Sequence, residues 1–317
     1  MKFAIILPAY NESLTIAKVI ADFHAVLPQA EIWVIDNNSQ DGTGEIARAI
    51  FSESQIPGGV LSERQQGKSF AVRKAFRAIE ADIYVMCDAD STYPASELPR
   101  MIEILHETGA DMVVGDRLTK GHYRESTRRL FHRSGNNLVR FLINFLFKGD
   151  LSDIMSGYRV MRKSLVKHFP SLNSGFELET ELSIFSLERR FGIIEHPVDY
   201  LSRPEGSFSK LSTYRDGFKV LKLILFLFKN YRPLKFFGTL AVVFFLLGLA
   251  TGIPVVIEFS LTGLVSKIPS AILATGMMVL SGHFLSLGVM MDSIANYHHQ
   301  LFEIEMNKYP EHDGIPK

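Results

Sequence analysis

A single cysteine and a formal net charge of zero are the scarcities of this 317-residue chain. With Cys87 alone no intramolecular disulfide forms, which suits a reducing compartment. Cys87 lies in an apolar run and reads as a small buried hydrophobe. The neutral balance argues against a nucleic-acid binder, whose footprint is a basic excess. No secretory leader is evident, because the first apolar run is short, follows one Lys and meets Pro8 at once. Charge is also missing locally: residues 236–259 hold one charged side chain, Glu258, and residues 268–291 hold none. Each stretch is long enough to cross a hydrocarbon core of about 30 Å as a helix. The loop between them, 260–267, carries one Lys, whereas 203–235 carries eight Lys or Arg against Glu205 and Asp216. By the positive-inside rule the N-terminal region is expected in the cytoplasm and the loop on the far side. Glu258, at a segment end, and His283, a lone imidazole, read as tolerated polar groups rather than as a transport path. Two segments are few for translocation unless the chain forms a homo-oligomer, and a hairpin this short is able to pack against copies of itself.

What precedes the apolar pair is normally charged and reads as one α/β domain. Residues 3–7, 32–35 and 83–87 are short apolar runs ending in polar or proline turns, as buried parallel strands do, and 111–115 adds another. Helical spacing fills 12–26, 44–51 and 69–79, so the order is β-α-β-α with a mostly parallel sheet. Ligands of such sheets bind beyond the C-terminal strand ends. The polar clusters PAYNE, DNNSQDGT and DADSTYP fall there. Two further segments, 127–148 and 215–229, pair apolar positions at helical spacing with Arg and Lys and suit a membrane interface.

Asp88 and Asp90 emerge together on the turn after strand 83–87. Two hard carboxylates in that position suit Mg²⁺ or Mn²⁺ bridging a diphosphate. With all three clusters in place, the chain resembles the inverting glycosyltransferases of family 2, which have the GT-A fold. Within them it resembles the polyprenol-phosphate branch typified by dolichyl-phosphate mannose synthase. The motifs are PAYNE at 8–12, VIDNNSQDGT at 34–43, QGKSFAV at 66–72, DADSTYP at 88–94, VVGDR at 113–117, HRSGN at 132–136, SDIMSGYR at 152–159 and RPEGSFSKL at 203–211. The paired C-terminal segments are similar to those of bacterial undecaprenyl-phosphate glucosyltransferases.

The resemblance implies a nucleotide-diphosphate sugar as donor, UDP-glucose first and GDP-mannose as the alternative, and a polyprenyl phosphate as acceptor. Pro8, Tyr10, Glu12 and Asp36 would meet the nucleoside, Lys68 the ribose and diphosphate, and Asp88 and Asp90 the metal. Thr92 stands where mannose synthases often have Gln or His, and would ligate through its hydroxyl. Asn37 replaces a second Asp and is expected to alter base or ribose contacts. Arg117, Arg133, Arg203 and Lys210 match positions that contact the lipid phosphate. Asp153 matches an aspartate near the attacking oxygen, and either acts there or orients Arg159 or Arg133; Glu181 is an active or a structural carboxylate. The expected organisation is a catalytic domain at 1–212, an amphipathic juxtamembrane helix at 213–235, a transmembrane hairpin at 236–300 and a tail at 301–317. It is an integral protein of a lipid bilayer, the bacterial inner membrane by resemblance. The rival from another class is an inactive membrane scaffold or lipid-carrier component.

Overall fold

The computed structural model describes residues 1–119, 130–170, 178–204 and 213–306, with backbone alone at 130–136 and 213–216. It divides into two compact units, 1–223 and 224–310, and the division falls inside the helix Thr213–Tyr231.

The first unit is built on one seven-stranded sheet of order β3-β2-β1-β4-β6-β5-β7. Its strands are β1 (Phe3–Ala9), β2 (Glu31–Asp36), β3 (Gly58–Ser62), β4 (Ile83–Met86), β5 (Met112–Asp116), β6 (Arg159–Arg162) and β7 (Ile193–Pro197). Pairing is parallel except for β6, which runs antiparallel between β4 and β5. The central strands are covered on both faces, and β4 and β5 are buried at every residue. That burial is why they read as unbroken apolar runs. Helices Ile16–Val26, Thr43–Ser54, Lys68–Ala78 and Leu98–Thr108 pack their apolar stripes on the sheet. Ile5, Leu7, Ile20, Phe23, Val85 and Leu98 lie in the continuous core that results.

Three strands, β1, β2 and β4, end in sharp turns, each with one residue in the left-handed region: Asn11 (φ 52°), Asn38 (φ 63°) and Ser91 (φ 62°). Asparagine tolerates that conformation well, and serine less so. These turns throw PAYNE, DNNSQDGT and DADSTYP onto one edge of the sheet. Helix Leu130–Phe147 buries Val139, Ile143 and Phe147 and leaves Leu138, Phe141 and Phe145 exposed.

In the second unit the two apolar segments lie inside longer helices, Pro233–Thr262 and Ile268–Met306. The first ends at Gly263, whose left-handed backbone (φ 71°) closes the turn. Beyond Pro233, the residues each helix buries recur every seven positions: Ala241, Gly248 and Val255 on one, Ala274, Ser281 and Gly288 on the other. Small side chains let the helices approach closely, and Ser281 Oγ donates to the Ala241 carbonyl at 2.8 Å. Much of the remaining surface carries exposed apolar side chains, and by length and composition both helices are able to cross a membrane.

Candidate active site

The turns after β1 and β2 are laced together by main-chain donors meeting side chains. Asn11 N–H donates to Ser39 Oγ (3.1 Å), Glu12 N–H to Thr43 Oγ1 (2.8 Å) and Ser13 N–H to Asp41 Oδ2 (3.0 Å). Asn11 Oδ1 in turn accepts from Gln40 N–H at 2.8 Å. Pro8 and Tyr10 are half-buried at the end of β1, Glu12 is buried one turn on, and Asp36 closes β2 opposite Ala9. Asp36 Oδ1 accepts from Ser39 N–H (3.1 Å), and its other oxygen lies where a Cβ on Gly44 would come within 2.6 Å. Gly44 is therefore needed for helix Thr43–Ser54 to approach Asp36. The four residues expected at the nucleoside are thus neighbours.

The acidic pair beyond β4 is met by cations from distant parts of the chain. Lys68, the first residue of its helix, forms ion pairs with both Asp88 and Glu179. The Lys68 and Glu179 side chains are 10% and 7% exposed, whereas that of Asp88 is 31% exposed. Asp90 is buried, paired with Arg203, and accepts from Thr92 N–H (3.1 Å) and Thr92 Oγ1 (2.5 Å). The Thr92 hydroxyl therefore orients Asp90. Burial by itself pulls Lys68 down, but Asp88 and Glu179 outweigh it and hold the ammonium well above its usual value. Burial raises Asp88, yet Lys68 more than compensates and leaves it below the usual carboxylate range. Burial and the charge of Asp88 keep Asp90 above that range despite Arg203.

Beside the pair stands a buried bidentate bridge. Arg117 Nε and Nη2 donate to Asp153 Oδ2 (2.7 Å) and Oδ1 (2.8 Å), and Arg117 N–H adds a third bond at 3.1 Å. The guanidinium also lies 5.4 Å from the Tyr200 ring centroid. Tyr200 packs edge-on against Tyr93, whose hydroxyl accepts from Gly157 N–H (3.0 Å). A Cβ on Gly157 would stand 2.3 Å from Asp88 Oδ2, so the SDIMSG loop presses against the acidic pair. Asp153, expected to act near the attacking oxygen or to orient Arg159 or Arg133, is paired here with Arg117. Arg159 is fully buried and donates to the carbonyls of Ile154 (2.7 Å), Ser156 (3.0 Å) and Glu179 (3.1 Å) and to Ser183 Oγ (3.0 Å). It ties that loop to the start of helix Leu178–Glu188. The Arg133 side chain and Lys210 lie outside the described residues.

Asn37, expected to alter base or ribose contacts, is turned into the protein. It is 3% exposed and bonds to the loop 63–67. Glu179 was missed altogether. The run Glu177, Glu179 and Glu181 signals acidity, but nothing in it says that Glu179 reaches Lys68. Glu181 is buried on the same helix. Tyr200 and Gly157 carry no chemical signature and were missed as well. Among the described residues no three Asp, Glu, His or Cys side chains converge as a metal cage. Among the described residues Asp88, Asp90 and Glu179 form their ion pairs with Lys68 and Arg203, three carboxylates to two cations. Hard oxygen donors with surplus negative charge fit a small divalent cation.

The family model described as Glycosyl transferase family 2 matches residues 4–169. The chain is 30% identical over 297 residues to Glycosyltransferase AglJ of Haloferax volcanii, covering 93% of this chain and 94% of that one. It is 32% identical over 223 residues to the dolichyl-phosphate hexose transferase of the same organism, covering 70% and 92% respectively. Among solved structures, glucosyl-3-phosphoglycerate synthase from Mycobacterium tuberculosis, in complex with Mn²⁺, UDP and glucosyl-3-phosphoglycerate, matches with a TM-score of 0.56. Identity there is 21% over 70% of this chain and 79% of that one, a likeness of fold.

Proposed function

The chain belongs to glycosyl transferase family 2, and from that premise we propose that it transfers a sugar from a nucleoside diphosphate donor, UDP-glucose first, to a polyprenyl phosphate with inversion at C1. The observation that carries this reading is the turn bearing Asp88 and Asp90, with Lys68 and Arg203 on the acids and the Arg117–Asp153 bridge alongside. Support for the lipid phosphate comes from the dolichyl-phosphate hexose transferase relative and from the two apolar helices.

Pro8, Tyr10, Glu12 and Asp36 hold the nucleoside, and Lys68 meets the diphosphate. Asp88 and Asp90 hold Mg²⁺ or Mn²⁺, with Thr92 orienting Asp90. When bound, the cation neutralises charge on the departing nucleoside diphosphate. Arg117, with Arg133, Arg203 and Lys210, receives the acceptor phosphate. That phosphate is already anionic near neutral pH, so its oxygen attacks C1 without a strong general base, and positioning and charge screening are the protein's tasks. Asp153 serves by holding the Arg117 fork in place. The hairpin anchors the catalytic unit on the cytoplasmic side of the bilayer. The exposed Leu138, Phe141 and Phe145, flanked by Arg140 and Lys148, rest on the membrane surface.

The test is incubation of the purified chain with undecaprenyl phosphate and a panel of UDP- and GDP-sugars, with and without Mn²⁺. One donor should be consumed only when both lipid phosphate and cation are present. Full activity in an Asp90→Ala variant would refute the metal assignment. Lipid-phosphate binding without consumption of any donor would support a scaffold instead.

A further inference from the structure

Asn37 closes a three-bond clamp on the loop that launches Lys68. Its Oδ1 accepts from Gly67 N–H at 2.7 Å, and its Nδ2 donates to the Gln65 carbonyl at 2.6 Å and toward the Glu63 carbonyl at 3.4 Å. The orientation is determined chemically, because an N–H only donates and a carbonyl only accepts, so the amide has one satisfactory setting. An aspartate has no donor and would set negative oxygen against two carbonyls. Gly67 stands at φ 141°, ψ 133°, a conformation open in practice to glycine alone. The next residue is Lys68, whose ammonium bridges Asp88 and Glu179.

We propose that Asn37 is a positioning residue for donor binding: by clamping the 63–67 loop it sets Lys68 at the acidic cluster, without touching the donor itself. The buried side chain, its three hydrogen bonds to the loop and the adjacency of Gly67 to Lys68 together assign this role. The inference rests on the functional reading in one respect, that Lys68 faces the donor diphosphate.

The test is a double-mutant cycle on nucleotide affinity. UDP and GDP binding in the presence of Mn²⁺ is measured by calorimetry on the full-length chain in detergent for the wild type, Asn37→Ala, Lys68→Met and the double variant. Acceptor KM and melting temperature are measured in parallel. Asn37→Ala should weaken nucleotide binding roughly tenfold, equivalent to about 1.4 kcal/mol, and Asn37→Asp should weaken it further. In the Lys68→Met background Asn37→Ala should have no further effect, and acceptor KM should stay within about twofold. An undiminished effect in that background, which direct base contact or general unfolding would give, overturns the proposal. So does wild-type affinity in Asn37→Ala or in Lys68→Met. A wild-type chain that binds neither nucleotide overturns the functional reading, and the proposal with it.

Discussion

Replacing Gly157 with alanine adds one methyl group at the point where the SDIMSG loop meets the acidic pair. The new Cβ would lie 2.3 Å from Asp88 Oδ2, 2.7 Å from its Cγ and 2.9 Å from Oδ1. Ordinary contact begins near 3.4 Å, so the carboxylate or the loop must yield by about 1.1 Å, the difference from 2.3 Å. Neither has an easy retreat: Asp88 is held by Lys68, and Gly157 N–H is held by the Tyr93 hydroxyl at 3.0 Å. Overpacking of this kind costs about 1–3 kcal/mol of stability. For a unit of this size that lowers Tm by roughly 2–12 °C. Activity should suffer far more, because a displacement of about 1 Å at a reacting centre costs on the order of a hundredfold. The assay is release of UDP from UDP-glucose with undecaprenyl phosphate and Mn²⁺, beside a thermal melt. Gly217→Ala serves as control, since a Cβ there meets nothing within 4 Å. If Gly157→Ala melts a few degrees lower yet keeps half its activity, Asp88 is not at the reacting centre and the site assignment fails.

Asp153→Asn keeps the shape of the carboxylate but leaves the buried Arg117 guanidinium without its counter-charge. It should cost about 3–5 kcal/mol in unfolding free energy and raise acceptor KM at least tenfold, with donor KM little changed; a wild-type melt would exclude the bridge. Asp41 is pushed upward by burial, but bonds from Thr43 and Ser13 outweigh this and bring it to about 2 from the ordinary 3.8. A depressed carboxylate stabilises the fold above its ordinary value and loses that contribution as pH falls through the interval from 3.8 to about 2. Melts of Asp41→Asn across that interval should therefore be less steep in pH than wild type, and identical slopes would contradict the assignment. Phe141 and Phe145, 62% and 71% exposed, should matter only for acceptor held in a bilayer. Changing both to Ser should raise KM for undecaprenyl phosphate in vesicles and leave that for a short-chain soluble acceptor unchanged.

The strands visible in the sequence were those in the interior of the sheet. β1, β2, β4 and β5 carry continuous apolar runs because both faces are covered. β3 and β7 lie at the sheet edges with no residue fully buried, and β7 reads IIEHP, so neither has the expected composition. β6 is short and has Arg at both ends, one wholly buried among carbonyls, which no local pattern announces.

The sequence by itself determined the architecture class, the three polar strand-end turns, the acidic pair and the apolar helices. Each depends on chemistry within a few residues: apolar periodicity, left-handed turn residues, absence of charge. Only the tertiary structure decided which ions pair. Glu179 reaches Lys68 across 111 positions and Asp153 takes Arg117 across 36. Asn37 likewise found the 63–67 loop rather than a ligand. A buried charge takes the partner that packing brings within reach, and sequence neighbours do not encode that distance.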